Sequence, residues 1–285
     1  MFAACVAAQI VSAALVAPFY SRFGLSIAWG TAWPLAATIG ALLPVALVYQ
    51  GFQSGAADAA AADTIAVIVL MLVLFVIAGP AQYVAVSLHR PLIDARLAAM
   101  DEALGIRIPA LVEWTATRPV LLRLLALAYN SFVPQLVGAV VVLGLALRDR
   151  GRLWEFCFHF HFCLIATLVV FALFPSDVVC RHYGCVADLD QTRFVAHFTA
   201  LRDGTFHELR FGQLEGLVSM PSFHALGALM VTWALRRRRG LTAAVAALNF
   251  ALVMATFMTG VHYFVDVLGA LVVFGVSLAV YSAVF

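Results

Sequence analysis

The sequence predicts an all-α integral membrane protein with about eight transmembrane helices. Three observations carry that expectation. Of its 285 residues 64% are hydrophobic and only 11% charged, and the mean hydropathy is +1.01, well outside the composition of a soluble globular domain. Eight segments approach the roughly 20 apolar residues needed to cross a hydrocarbon core. Arginine is gathered in short connections, Arg148, Arg150 and Arg152 in one and Arg236 to Arg239 in another, the pattern of loops retained in the cytoplasm.

The predicted spans are 2-20, 27-49, 64-88, 120-147, 153-175, 217-235, 241-259 and 262-285. The chain is apolar from Phe2 onward with no charged leader segment, so the first span reads as a retained helix rather than a cleaved signal. The Ala-rich stretch 55-64 reads as an inner connection, which divides the chain into a two-helix extension, 1-60, and a six-helix core, 61-285. Two polar stretches interrupt the spans. In 89-118, Leu92, Ala95, Leu97, Ala99, Met100, Leu104 and Ile108 mix with arginine and acids at helical spacing, predicting an amphipathic helix in the membrane interface. The stretch 176-216 is too long and polar for a turn, and connections of that kind are often functional. With both arginine groups inside, the N-terminus is also inside and both polar stretches lie outside. The expected location is a bacterial inner membrane with the outer stretches facing the periplasm.

All 17 basic residues are arginine and the net charge is only +2. No basic run is interleaved with aromatics, which argues against a nucleic-acid partner. Of the five cysteines, Cys180 and Cys185 share a polar loop, where either a disulfide or two free thiols is open.

Chemistry concentrates at the heads of two spans. Ser219-Met220-Pro221-Ser222-Phe223-His224 opens the sixth, with the proline expected in its first turn. The free N–H groups of that turn, the Ser222 hydroxyl and the helix dipole favour a bound anion such as phosphate; the plainer alternative is an ordinary cap followed by a histidine at headgroup level. His262 and Asp266 stand four apart at the head of the last span, where a lone carboxylate is costly and an imidazole is its natural partner. A carboxylate on one imidazole nitrogen fixes the tautomer and raises the basicity of the other, although the pair also satisfies itself as a structural unit. One descent and one ascent separate His224 from His262, so both return to the same face. Phosphoester chemistry is then expected, with His262 attacking phosphorus to form a phosphohistidine, Asp266 orienting it and His224 protonating the leaving oxygen. Arg202 in the outer loop is the expected phosphate-binding cation, with Arg181, Arg193 and Arg210 as competitors.

PSFH followed by HYFVD resembles the second and third signatures of the type 2 phosphatidic acid phosphatase superfamily, P-S-G-H and S-R-x-x-x-x-x-H-x-x-x-D. HY-x-x-D-V is closest to the branch that includes inositol phosphorylceramide synthases. The resemblance covers about 64-285. It implies a six-helix phosphatase core, metal-independent hydrolysis or transfer of a lipid phosphoester without a cofactor, and an alcohol acceptor such as inositol where the head group is transferred. His224, Ser222, His262 and Asp266 carry over. Three features depart from the pattern: Phe223 stands in the place of glycine, Ala255-Thr256 in the place of Ser-Arg, and the lysine-containing first signature is missing. The pairs Arg90-Pro91 and Arg118-Pro119 come too early in the chain to replace it.

Other polar residues have plainer readings. Glu155, His159 and His161 resemble metal ligands, but the two histidines point about 200° apart on a helix, and no metal is expected there. Tyr129, Asn130, Ser131 and Gln135 either join helices or line a headgroup cavity. A different class of function, a transporter or lipid-binding protein using His262-Asp266 as a proton relay, accounts for the buried pair but not for the return of PSFH to the same face.

Overall fold

The computed structural model describes residues 1–51, 55–177, 179–183 and 192–285. The helices are α1 (Phe2–Arg22), α2 (Trp33–Gly51), α3 (Ala56–Ser87), α4 (Asp94–Ala103), α5 (Ile108–Ala116), α6 (Pro119–Asn130), α7 (Phe132–Val141), α8 (Arg150–Leu173), α9 (Val179–Tyr183), α10 (Thr192–Arg202), α11 (Phe223–Ala234), α12 (Arg239–Met258) and α13 (Phe264–Val284). The Cys180–Cys185 pairing lies outside the described residues.

Among the described residues, six helices are long and apolar enough to cross a membrane; the pair Pro119–Asn130 and Phe132–Ala146, bent by 43°, makes a seventh if counted as one span and is otherwise a re-entrant loop. The bend falls at Ser131, whose hydroxyl donates to the Ala128 carbonyl at 2.6 Å. The span expected over 217-235 is shorter than predicted, because α11 has only 12 residues. At 1.5 Å per residue it covers about 18 Å of a roughly 30 Å core. Pro221 is not in its first turn: Ser222 is the N-cap, its hydroxyl accepting the Ala225 N–H at 3.3 Å.

Helices meet in lipid through close packing and polar bonds rather than through burial from water. Asn249 on α12 donates to the Ala228 carbonyl and the Thr232 hydroxyl of α11 at 3.0 and 2.8 Å. At the C-terminal end of α11, Glu155 of α8 accepts from Trp233 Nε1 at 2.9 Å and Arg236 at 2.8 Å, while Arg152 donates to the Ala234 carbonyl at 3.0 Å. The arginines therefore fasten the last turn of α11, where a helix end attracts cations.

The stretch 89-118 forms two short helices rather than one. In α4 the face turned to the protein mixes acids with apolar side chains. Asp94, Leu97, Ala98 and Asp101 are buried, whereas Leu92, Ala95, Ala99, Met100 and Leu104 are exposed. An interfacial helix has lipid on one side, so exposed leucine and methionine cost nothing there, and the acids turn inward. Outside the helices, Ser26–Ile27 (β1) pairs in parallel with Glu208–Leu209 (β2), tying the α1–α2 connection to the one between α10 and α11.

Candidate active site

The α12–α13 turn and the segment before α11 meet at one place. Gly260 turns the chain at a φ of +76°, a conformation glycine adopts without strain. The Val261 and His262 N–H groups then bond the Thr256 carbonyl at 3.1 and 2.9 Å. His262 therefore stands in the turn, not on the helix as its spacing suggested, and Asp266 lies in the first turn of α13. Across from them, the Ser222 N–H donates to the Asp266 carbonyl at 3.1 Å, which joins the α11 head to α13.

Asp266 is wholly buried. Its Oδ2 accepts from the Ser219 hydroxyl at 2.9 Å, the Tyr263 N–H at 3.0 Å and His262 Nδ1 at 3.3 Å. The same Nδ1 lies 3.0 Å from the Ser219 carbonyl. Both neighbours of Nδ1 accept hydrogen bonds, so that nitrogen carries the proton and the lone pair is left on Nε2. The His224 ring centroid is 6.0 Å from that of His262. His224 is held by stacking, 4.1 Å from Tyr129 and 4.4 Å from Phe132. Gly227 lets Phe132 come this near, since a Cβ there would fall 2.2 Å from its ring.

Both histidines and Ser219 line a cavity of about 530 Å³ that runs between α3, α7 and α8 and is otherwise walled mainly by apolar side chains. Phe223 belongs to that wall and packs edge-on against Phe132 and Phe160 at 5.8 and 5.9 Å. In the place of a glycine, it forms part of an apolar surface. Ser222 is fully buried as the helix cap and is not among the cavity-lining residues.

No described arginine lines the cavity. Arg202 donates to the Arg90 carbonyl at 2.8 Å, Arg193 pairs with Glu215 at 3.3 Å and Arg210 with Glu208 at 2.5 Å. The Arg181 side chain lies outside the described residues. Thr256, in the place of the signature arginine, is completely buried.

The structure adds residues that the sequence did not single out. Asp101 accepts the N–H groups of Phe264 and Val265, both at 2.9 Å, and so caps the helix that carries Asp266. Asp94 accepts the Tyr263 hydroxyl at 3.1 Å and the Asp177 N–H at 3.1 Å. Burial raises both carboxyls above their ordinary value, and the N–H donors pull them part of the way back. Over the cavity, the segment 214–219 is tied to α3 by Gln82, which donates to the Glu215 carbonyl at 2.9 Å and accepts the Leu217 N–H at 2.6 Å. The Tyr83 hydroxyl accepts the Glu215 N–H at 2.9 Å and lies 2.8 Å from His197 Nδ1; burial lowers the His197 value. An Asp or Gln several spans away gives no local signal of such bonds.

His159 and His161 diverge as their spacing requires. His159 Nδ1 meets the Ser277 hydroxyl on α13 at 2.7 Å, whereas His161 Nε2 meets Gln9 on α1 at 2.8 Å. Of the polar group in the fourth span, Tyr129 lines the cavity and Gln135 bonds Ser131 at 2.8 Å.

No curated protein and no solved structure matches the chain. A family model described as the PAP2 superfamily matches residues 95–280, which takes in Asp101 of α4 and both histidines. With the match extending over more than half of the chain, this integral membrane protein belongs to the PAP2 (type 2 phosphatidic acid phosphatase) superfamily, whose membership supports an enzyme acting on lipid phosphoesters.

Proposed function

We propose that the protein is a lipid phosphatase or phosphotransferase that works through a phosphohistidine on His262 and needs no metal for that step. The observation that carries this reading is the pairing of an Nδ1-protonated His262, held by Ser219 and Asp266, with His224 at 6.0 Å in the same cavity. His262 Nε2 attacks phosphorus, and its Nδ1 proton stays with the carboxylate and carbonyl that stabilise the resulting charge. The P–O bond to the leaving group breaks as His224 protonates that oxygen. Water then attacks the phosphohistidine, or an alcohol such as inositol does so, regenerating His262. Arg202, Arg181 and Ser222 are retained as proposed phosphate partners that would have to reach the site as substrate binds.

The test is release of labelled phosphate from phospholipids by the purified full-length protein in EDTA, with and without free inositol, beside His262→Ala. Loss of a nucleophile costs on the order of 10³-fold or more. Unchanged turnover in the variant would sink the phosphohistidine, and loss of wild-type turnover in EDTA would bring in a metal. The lack of arginine among the described cavity residues favours a second reading, lipid binding with His262-Asp266 as a proton relay. That reading expects lipid uptake without phosphate release.

A further inference from the structure

Away from the histidine cavity, α1 and α8 bring together three more side chains able to hold a metal. The buried residues of α1 are Cys5 and Gln9, one turn apart on the side packed against α3 and α8. Cys157 and His161, also one turn apart, face them. Cys5 Sγ lies 4.0 Å from Cys157 Sγ, Cys157 Sγ lies 3.7 Å from His161 Nδ1, and all three donor atoms are within 4.8 Å of one another. Donors bound to one zinc ion by bonds of about 2.3 Å from sulfur and about 2.0 Å from nitrogen stand roughly 3.3 to 4 Å apart, so the first two separations already suit a shared ion. Burial alone suits the cysteines, which pack as small hydrophobes. It does not account for a histidine and a glutamine inside hydrocarbon, where each is costly. Gln9 Nε2 donates to the Leu70 carbonyl at 2.7 Å and to His161 Nε2 at 2.8 Å, tying the ring to α1 and α3.

We infer that Cys5, Cys157 and His161 bind one zinc ion that clamps α1 onto α8. Two thiolates and a neutral imidazole balance a divalent charge, which suits a site surrounded by hydrocarbon. Each Zn–S bond forms as a thiol gives up its proton, so uptake of one ion releases two protons. His161 binds through Nδ1, releasing its bond to the Cys157 carbonyl; the ring proton moves to Nε2, and the Gln9 amide turns over so that its oxygen accepts that proton, at the expense of the Leu70 bond. None of the three ligands lines the cavity that holds His224 and His262, so the ion is structural and independent of the proposed phosphoryl transfer.

The experiment titrates zinc into the metal-stripped full-length protein in detergent, with Cys180 and Cys185 both changed to Ala so that the loop thiols do not contribute. The parent takes up one equivalent and releases two protons. Cys5→Ala and His161→Gln each weaken binding by at least about tenfold, whereas Cys163→Ala, which removes a thiol on the same helix outside the cluster, binds as the parent does. Substoichiometric uptake by the parent overturns the site whether or not any variant folds. Equal binding by Cys5→Ala, or a Cys5–Cys157 disulfide in the protein as purified, also overturns it.

Discussion

Asp266 shows how much one buried carboxylate organises. The carboxylate oxygen that receives Nδ1 of His262 also receives the Ser219 hydroxyl and the Tyr263 N–H, so the histidine, the helix cap and the segment before α11 share one acceptor. Its pairing with His262 was legible from a spacing of four and the cost of a lone acid in lipid. Ser219 was visible only as part of a motif, because a serine hydroxyl near a helix start has many ordinary uses. Asp101, one acid among several in the stretch 89-118, is a buried cap. Its carboxyl lies above its ordinary 3.8 because of burial. A raised folded value means that the native state takes up the proton before the unfolded one does, so stability from this group increases as pH falls from the raised value towards 3.8. Wild-type protein should therefore gain stability relative to Asp101→Asn on acidification from about pH 7 to about pH 4, as read from the two unfolding midpoints. A gap that narrows or stays constant contradicts the assignment. Asp101→Ala, which leaves both N–H groups without their acceptor, should lose about 1 to 2 kcal/mol.

Among the elements, α11 was the least legible, although its boundary residues were plain. Serine and proline before an apolar run announce a helix start, but whether the helix begins at Pro221 or at Phe223 depends on which hydroxyl caps which N–H, and that bond is local geometry. The short helix still has two different ends, with the arginines fastened to Glu155 and the cap fastened to Asp266. The π-helical turn at Val142–Ala146 and the β1–β2 pair carried no periodic signal at all, since runs of two to five residues are too short for one. Arginine in short loops sets orientation, so the arginine end of α11 should face the cytoplasm and the histidines the opposite side. An engineered cysteine at Arg238 should react with an impermeant reagent only after the inner face is exposed. Labelling in sealed, right-side-out vesicles would invert the topology.

For the whole molecule, the long apolar runs made the membrane class and most spans readable, because the bilayer forces hydrocarbon-length helices on any chain that crosses it. The cavity was not readable, since its walls come from helices far apart in sequence and its residues look like ordinary lipid-facing ones. Its shape bears directly on substrate choice. The histidines and Ser219 lie at one part of the cavity, and Leu72 and Phe75 of α3, Val137 of α7, and Leu164 and Leu168 of α8 extend its apolar wall. A lipid chain laid along those helices would contribute binding energy remote from phosphorus, and remote binding of that kind is used to position the reacting group. Leu164→Trp places an indole in the cavity from a half-buried position on α8, with the histidines and their partners left intact. Turnover of a long-chain phospholipid should fall by about tenfold or more, a typical scale for disturbing one apolar subsite. A water-soluble phosphoester without a chain should be cleaved at close to the wild-type rate. Equal loss on both substrates would mean that the tryptophan disturbs the site itself, and no loss on either would place the lipid chain outside this cavity.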